Sequence, residues 1–236
     1  MSVSGYATLT RQIGLERELQ AIANNIANGS TTGFRREGVV FSEYVRRLDD
    51  GPSVSMAWAS ARNVDLTQGE PEQTGGSFDF AIKGEGFFLV ETPQGNRLTR
   101  AGHFTPSAEG ELVNPDGYRL LDQGGAPVFV PPDAGSVSLA ADGTLSAAGA
   151  PLARIGLWQP ADPLTLRHEG GTLFVADGEV PAEGATLSQG YLEGSNVSPV
   201  FELARMIEVQ RAYELGQSFL DREDDRLRTV IQKLGG

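Results

Sequence analysis

The sequence predicts a mainly β central domain, barrel- or sandwich-like with about ten short strands, flanked by N- and C-terminal α-helices that pair into a coiled-coil layer. Two observations carry that expectation. Turn residues concentrate in the middle of the chain, and apolar residues recur at helical spacing at both ends.

The β reading comes first. Between Gly75 and Gly194 lie 20 of the 30 glycines and 10 of the 13 prolines, whereas Pro199 to Gly236 holds three glycines and one proline. The middle is therefore turn-rich and the C-terminal end is not. Within it, short apolar runs such as "FDFAIKGEGFFLVE", "RLTRAGHF" and "APVFV" alternate with "PQGN", "NPDG", "DQGG" and "ADGT". Runs of four to eight residues punctuated by Asp-Gly and Gly-Gly read as hairpins.

The C-terminal helix is announced by Ser198 and Pro199, a cap followed by proline in the first turn. Taking Leu203 as heptad position a, the d positions are Met206, Tyr213, Leu220, Leu227 and Leu234, while the a series continues with Gln210, Gln217, Asp224 and Ile231. This is a seam with a polar middle. A second stripe, Val209, Ala212, Gly216, Phe219 and Val230, lies on another side, and the helix spans about 54 Å at 1.5 Å per residue.

The N-terminal helix, roughly Val3 to Asn28, carries two opposed stripes. At 100° per residue Tyr6, Leu9 and Ile13 point one way and Leu15, Leu19, Ile22 and Ile26 point nearly the opposite way. One face serves a helix packed on its own domain; two imply a sandwiched helix, and an unpaired apolar stripe is an oligomer interface. The alternative is that the two end helices simply pair and lie on the β domain. Asn28-Gly29 ends the helix, with Gly29 expected in the left-handed conformation. Asn24, Asn25 and Asn28 then offer amides for helix–helix or subunit–subunit hydrogen bonds, against the alternative of local capping.

These readings divide the chain into an assembly helix and turn over 1–33, a partly extended linker over 34–74, a β domain over 75–197 and a second assembly helix over 198–236.

Composition excludes several classes. With 31 acidic against 19 basic residues the net charge is -12, so the surface repels phosphate backbones and no nucleic-acid partner is expected. No cysteine is present, which removes disulfides and thiolate chemistry. A basic start followed by an apolar run is lacking, as is any stretch of about 18 apolar residues, so the expectation is a chain that does not insert into membranes and is exported without a cleaved signal peptide.

Three blocks carry a family resemblance. "LERELQAIANNIANGSTTGFRREGVVF", "FDFAIKGEGFFLVETPQGNRLTRAGHFTPSAEGELVNPDGYRLLD" and "GYLEGSNVSPVFELARMIEVQRAYELGQ" follow one another in order. Together they resemble the flagellar basal-body rod and hook proteins, most closely the proximal-rod subtype, with distal-rod and hook proteins the nearest alternatives. The resemblance implies an axial structural protein, exported by the flagellar type III apparatus and polymerised with copies of itself and other rod proteins into the torque-transmitting shaft that crosses the periplasm. It adds Gly33 and Phe34 to the assembly set of Tyr6, Leu9, Ile13, Leu15, Leu19, Ile22, Asn24, Asn25, Ile26, Asn28, Leu203, Met206, Gln210, Tyr213, Gln217, Leu220 and Leu227. Phe41 and Val45 in "FSEYV" fit an export cue, or else one face of a helix with Leu48.

Other classes leave weaker marks. A carbohydrate-active enzyme would use paired carboxylates such as Asp79 with Glu85, or Glu91 with Asp142, but acids beside glycine are ordinary turn formers. His103 and His168 have no metal-ligand spacing, and no cofactor is implied. "DREDDR" reads as a solvated helix face with i,i+4 pairs such as Asp224 with Arg228. A phage-tail or adhesin fibre subunit, closed as a trimer, is the structural alternative.

Overall fold

A computed structural model describes residues 3–48 and 51–234, with the side chains of 3–4, 6, 42–48 and 51–61 left aside. It is mostly β with a helix at each end: α1 spans Val3–Ala27 and α2 spans Pro199–Leu234. Two units emerge. The first holds α1, the strands β1 (Glu37–Leu48) and β2 (Gly51–Val64) as far as Asn63, and α2; the second holds Asn28–Arg36 and Val64–Val197.

In the first unit α1 and α2 run antiparallel. Asn25 reaches Glu202, Glu18 reaches Arg205 and Gln12 reaches Tyr213, so numbers fall along one helix as they rise along the other. Leu15 and Ile22 are buried against Val209, and Leu19, Ile26, Met206, Ala212 and Tyr213 close around them. Gly216 permits the approach of Gln12, since a Cβ there would stand 2.9 Å from the amide nitrogen.

β1 and β2 pair with each other as a two-stranded sheet where a partly extended linker is expected. The signal that finds this hairpin is Asp50-Gly51 after the valine-bearing run "EGVVFSEYV", although residues 49 and 50 lie outside the described ones. The same pairing puts Phe41 and Val45 on a strand rather than a helix face.

The second unit is built from short antiparallel pieces. β3 (Pro71–Gln73) pairs with Tyr191–Glu193, and β4 (Phe80–Lys83) pairs with Thr186–Gln189. β5 (Phe88–Thr92) and β6 (Gly95–Thr99) lie in a sheet of seven strands, completed by Arg119–Leu120, Leu112–Val113 and Thr105–Pro106 beside β5 and by Leu173–Val175 and Arg167–Gly170 beside β6. No sheet closes into a barrel among the described residues. Eighteen strands are described in all, because runs read as one strand are broken by glycine and proline into pieces of two to five residues in this unit.

The apolar run "FFLV" has a direct physical meaning here. Side chains alternate along a strand, so Phe88 and Val90 enter a cluster with Phe80, Phe104, Leu112 and Leu120, while Phe87 and Leu89 enter another with Leu98, Leu166 and Phe174. A strand buried on both faces has no polar positions to show.

Candidate functional site

Two groups of residues from the expected assembly set take separate places. Those in the turn after α1 belong to the β unit. Thr31 N donates to Asn28 O and Phe34 N to Thr31 O, so the turn is held by its own backbone. The left-handed glycine is Gly33, at φ +71°, and not Gly29. Gly33 is required on a second count, because a Cβ would stand 2.2 Å from Ala101 N. Its own N–H donates to Glu193 O at 2.7 Å. Phe34 is buried and stacks on His168 at 5.1 Å, so Gly33 and Phe34 are occupied inside the unit rather than presented to a neighbouring subunit. His168, expected as a polar strand-end residue, instead packs between Phe34 and Phe174 and meets Arg35 O through Nε2.

Beside this turn sits a charged cluster that sequence reasoning missed. Glu193 receives Arg35 Nη2 at 2.7 Å on one oxygen and Arg100 Nη2 at 2.5 Å on the other, with side-chain exposures of 1 %, 3 % and 1 % for Glu193, Arg35 and Arg100. Arg100 also donates to the carbonyls of Gly84 and Gly86, Arg35 to that of Thr67, and Gly69 N to the Glu193 carboxylate. Burial pulls the Arg35 pKa down to about 10, against the opposing pull of Glu193. It therefore stays charged at neutral pH. The triad ties "TTGFRRE" to "GYLEGSN", two motifs far apart in sequence, through a shared carboxylate.

The helical residues divide differently. Leu15 and Ile22 are buried on α2, whereas Leu9 and Ile13 on the opposite stripe are 41 % and 48 % exposed; the Tyr6 side chain lies outside the described ones. On α2, Met206 and Tyr213 lie against α1, Leu220 is half-buried, and Leu203, Gln210, Gln217 and Leu227 are exposed. The most buried seam residue is Val209, which the heptad frame puts on the second stripe. The reason is where α1 crosses: the contact runs through Glu202, Met206, Val209 and Tyr213, one residue before the expected a series, and α2 alone carries no signal for that choice.

Asparagines 24 and 25 part company. Asn25 is fully buried; its amide donates to Glu37 O at 2.8 Å and to Glu202 Oε2 at 3.2 Å, and its oxygen accepts from Glu37 N at 2.9 Å. It thereby fastens α1 to β1 and α2. Asn24 is exposed and reaches Glu37 Oε2 only at 3.5 Å, and Asn28 is half-buried in the β unit with its Oδ1 accepting from Thr31 Oγ1.

Three of the four carboxylates weighed for catalysis are engaged elsewhere. Asp79 binds His103 Nδ1 at 2.6 Å and accepts from Thr74 Oγ1, Glu91 pairs with Arg119, and Asp142 caps its turn through Thr144. Asp224 and Arg228 form the i,i+4 pair at 2.7 Å. On the helix pair, Arg205 bridges Glu18 and Glu208, and the hydrogen bond with Glu18 raises its pKa. Because Arg205 is half exposed, solvent screening keeps the pair weak. Arg205→Ala is expected to cost under about 1 kcal/mol, a small shift of the urea midpoint that shrinks further in high salt.

Comparison with known proteins supplies the context. Family models for the flagella basal body rod protein, the flagellar hook protein FlgE/F/G D1 domain and the flagellar basal body rod FlgEFG protein C-terminal region match residues 6–35, 81–147 and 188–233. The chain is 38% identical to the flagellar basal-body rod protein FlgF of Caulobacter vibrioides, over 98% of this chain and 97% of that protein. It belongs to the flagellar basal-body rod proteins. The FlgF of Mesorhizobium japonicum is 37% identical over 100% of this chain and 99% of its own length, and the rod protein FlgG of Bacillus subtilis is 29% identical over 96% and 97%. As a rod protein of the FlgF type the chain is a structural subunit of the basal body, not an enzyme. Its first and last family matches cover α1 with the following turn and most of α2.

Proposed function

We propose that this rod subunit polymerises through its terminal helices, joining copies of itself and other rod proteins into the axial shaft that carries torque across the periplasm. In this reading α1 and α2 form a coiled-coil layer with neighbouring subunits. The chain reaches its place through the flagellar type III export apparatus, and Phe41 and Val45 are the candidate export cue. Phe41 is 38 % exposed on β1, and the Val45 side chain lies outside the described ones.

The observation that carries the proposal is the exposed Leu9–Ile13 stripe opposite the face of α1 already packed on α2. Two large apolar side chains left about half exposed at a helix surface gain, when covered, about half of the 1.5–3 kcal/mol that full burial gives each, together roughly 1.5–3 kcal/mol. Leu9→Asp with Ile13→Asp leaves the Leu15–Ile22 seam intact. The doubly substituted chain is expected to be exported and to keep the helix content of the free protein, yet to be missing from isolated basal bodies. Loss of roughly 1.5–3 kcal/mol is about ten- to a hundredfold in affinity, so normal incorporation would contradict the assignment.

A further inference from the structure

We infer that the cleft beside the Arg35–Glu193–Arg100 cluster is a binding site for a small monocarboxylate with a short apolar body. Two guanidiniums and one carboxylate meet there with side-chain exposures of 3 % and 1 % for Arg35 and Arg100 and 1 % for Glu193, so this buried cluster holds one positive charge more than it balances. Water does not reach that surplus, and a buried charge without a partner is costly. Arg35 bears the cost. Burial pulls its pKa to about 10 even with Glu193 beside it; Asp65 also acts on it, as the weakest of the influences, and is itself held by Thr67 N at 2.9 Å.

Hydrogen bonding is incomplete on the same group. Arg100 spends its guanidinium on Glu193 and on the carbonyls of Ile82, Gly84 and Gly86. Arg35 gives Nη1 to Thr67 O and Nη2 to Glu193, but its Nε–H, also buried, has no hydrogen-bond partner among the described residues. Buried donors in folded chains are normally satisfied, and the exception here falls on the residue with the unbalanced charge. A guanidinium presents its donors in a plane that matches carboxylate oxygens, so one further carboxylate supplies both the counter-charge and the acceptor.

A cleft opens at that residue. Its volume is about 290 Å³, at the small end of the range for ligand sites, and Arg35 and Arg100 are in its lining. Such a space takes a molecule of a few heavy atoms, not a helix or a strand. Phe87, Leu66 and Pro160 are apolar walls, which suit a short hydrocarbon or aromatic body. Glu85, exposed in the same lining, opposes a second negative charge, so a monoanion is favoured over a dicarboxylate or a phosphate. Every lining residue belongs to the β unit, so the site is complete within it. A bound carboxylate stabilises that unit by mass action and tightens the tie between the turn after α1 and the strand Tyr191–Glu193.

The test uses the purified full chain carrying isotope-labelled arginine. Acetate, butyrate and phenylacetate are titrated, with phenylacetamide as the neutral control and succinate as the dianion. Butyrate and phenylacetate are expected to bind saturably, to raise the unfolding midpoint and to move one arginine Nε–H resonance, the one absent from Arg35→Lys. Phenylacetamide is expected to bind roughly tenfold or more weakly than phenylacetate, the worth of a charge-assisted hydrogen bond. Glu85→Gln, at an exposed position, is expected to leave stability unchanged and to tighten succinate more than butyrate. No saturable carboxylate binding, equal binding of phenylacetamide, or unmoved arginine resonances would each overturn the site. The rod reading is untouched by any of these outcomes.

Discussion

Glu193→Gln in the full chain is expected to destabilise the β unit by about 3–5 kcal/mol, the range for removing one partner of a buried charge cluster. The size follows from the sharing. One carboxylate balances two guanidiniums, each almost wholly buried, and glutamine returns a single carbonyl acceptor to both while adding donors that face them. Arg35→Met is expected to cost less, because Arg100 then keeps the carboxylate through Nε and Nη2. Urea unfolding followed by tryptophan fluorescence ranks the two variants, and equal costs would refute the shared-carboxylate account.

The pH dependence sharpens this. Burial lowers the Arg35 pKa to about 10, so above that pH the folded state binds fewer protons than the unfolded one. For a base held below its ordinary value, the cost of keeping it charged is fully present below the folded pKa and is relieved as pH rises through it. Nothing in that window touches neutrality. The stability gap between wild type and Glu193→Gln is therefore expected to be level around neutral pH and to narrow as pH rises, because Arg35 without Glu193 to hold its pKa up releases its proton earlier in the variant.

How much of this was legible in the sequence depends on the range of the interaction. Helix α1 and its end were legible because apolar spacing and the Asn28-Gly29 stop are local; the observed span, Val3–Ala27, ends one residue before the expected one. The opposed stripes were legible for the same reason. The exact seam on α2 was not, since Val209 owes its burial to where α1 crosses, and no heptad frame contains that information. The hairpin β1–β2 carried a local Asp-Gly signal, diluted by the small and polar residues of "SVSMAWASARN".

The triad lay beyond any local pattern. Arg35 reads as half of a solvated basic pair and Glu193 as an acid beside a glycine. Only the fold brings both to Arg100, with Gly33 allowing the backbone of the turn to pass against Ala101. Gly33 and Phe34 entered the assembly set through family resemblance, which marks a motif without separating interior from surface. The structure makes that separation.

The asparagines turn the separation into a measurement. Asn25→Ala is expected to cost the free chain about 3 kcal/mol, since it strips the partner from both polar groups of the Glu37 peptide and one from the Glu202 carboxylate, and buried polar groups left without partners cost roughly 1–3 kcal/mol each. Asn24→Ala acts at an exposed position and is expected to change stability by under about 0.5 kcal/mol. Thermal unfolding followed by helix circular dichroism separates them, and an Asn24→Ala loss as large as that of Asn25→Ala would refute the distinction. Incorporation into basal bodies then reads differently for each. A deficit with Asn25→Ala follows from a weakened helix pair, because Asn25 joins α1, β1 and α2 within one subunit. A deficit with Asn24→Ala at unchanged stability has no such intramolecular source and assigns that exposed amide to a subunit contact.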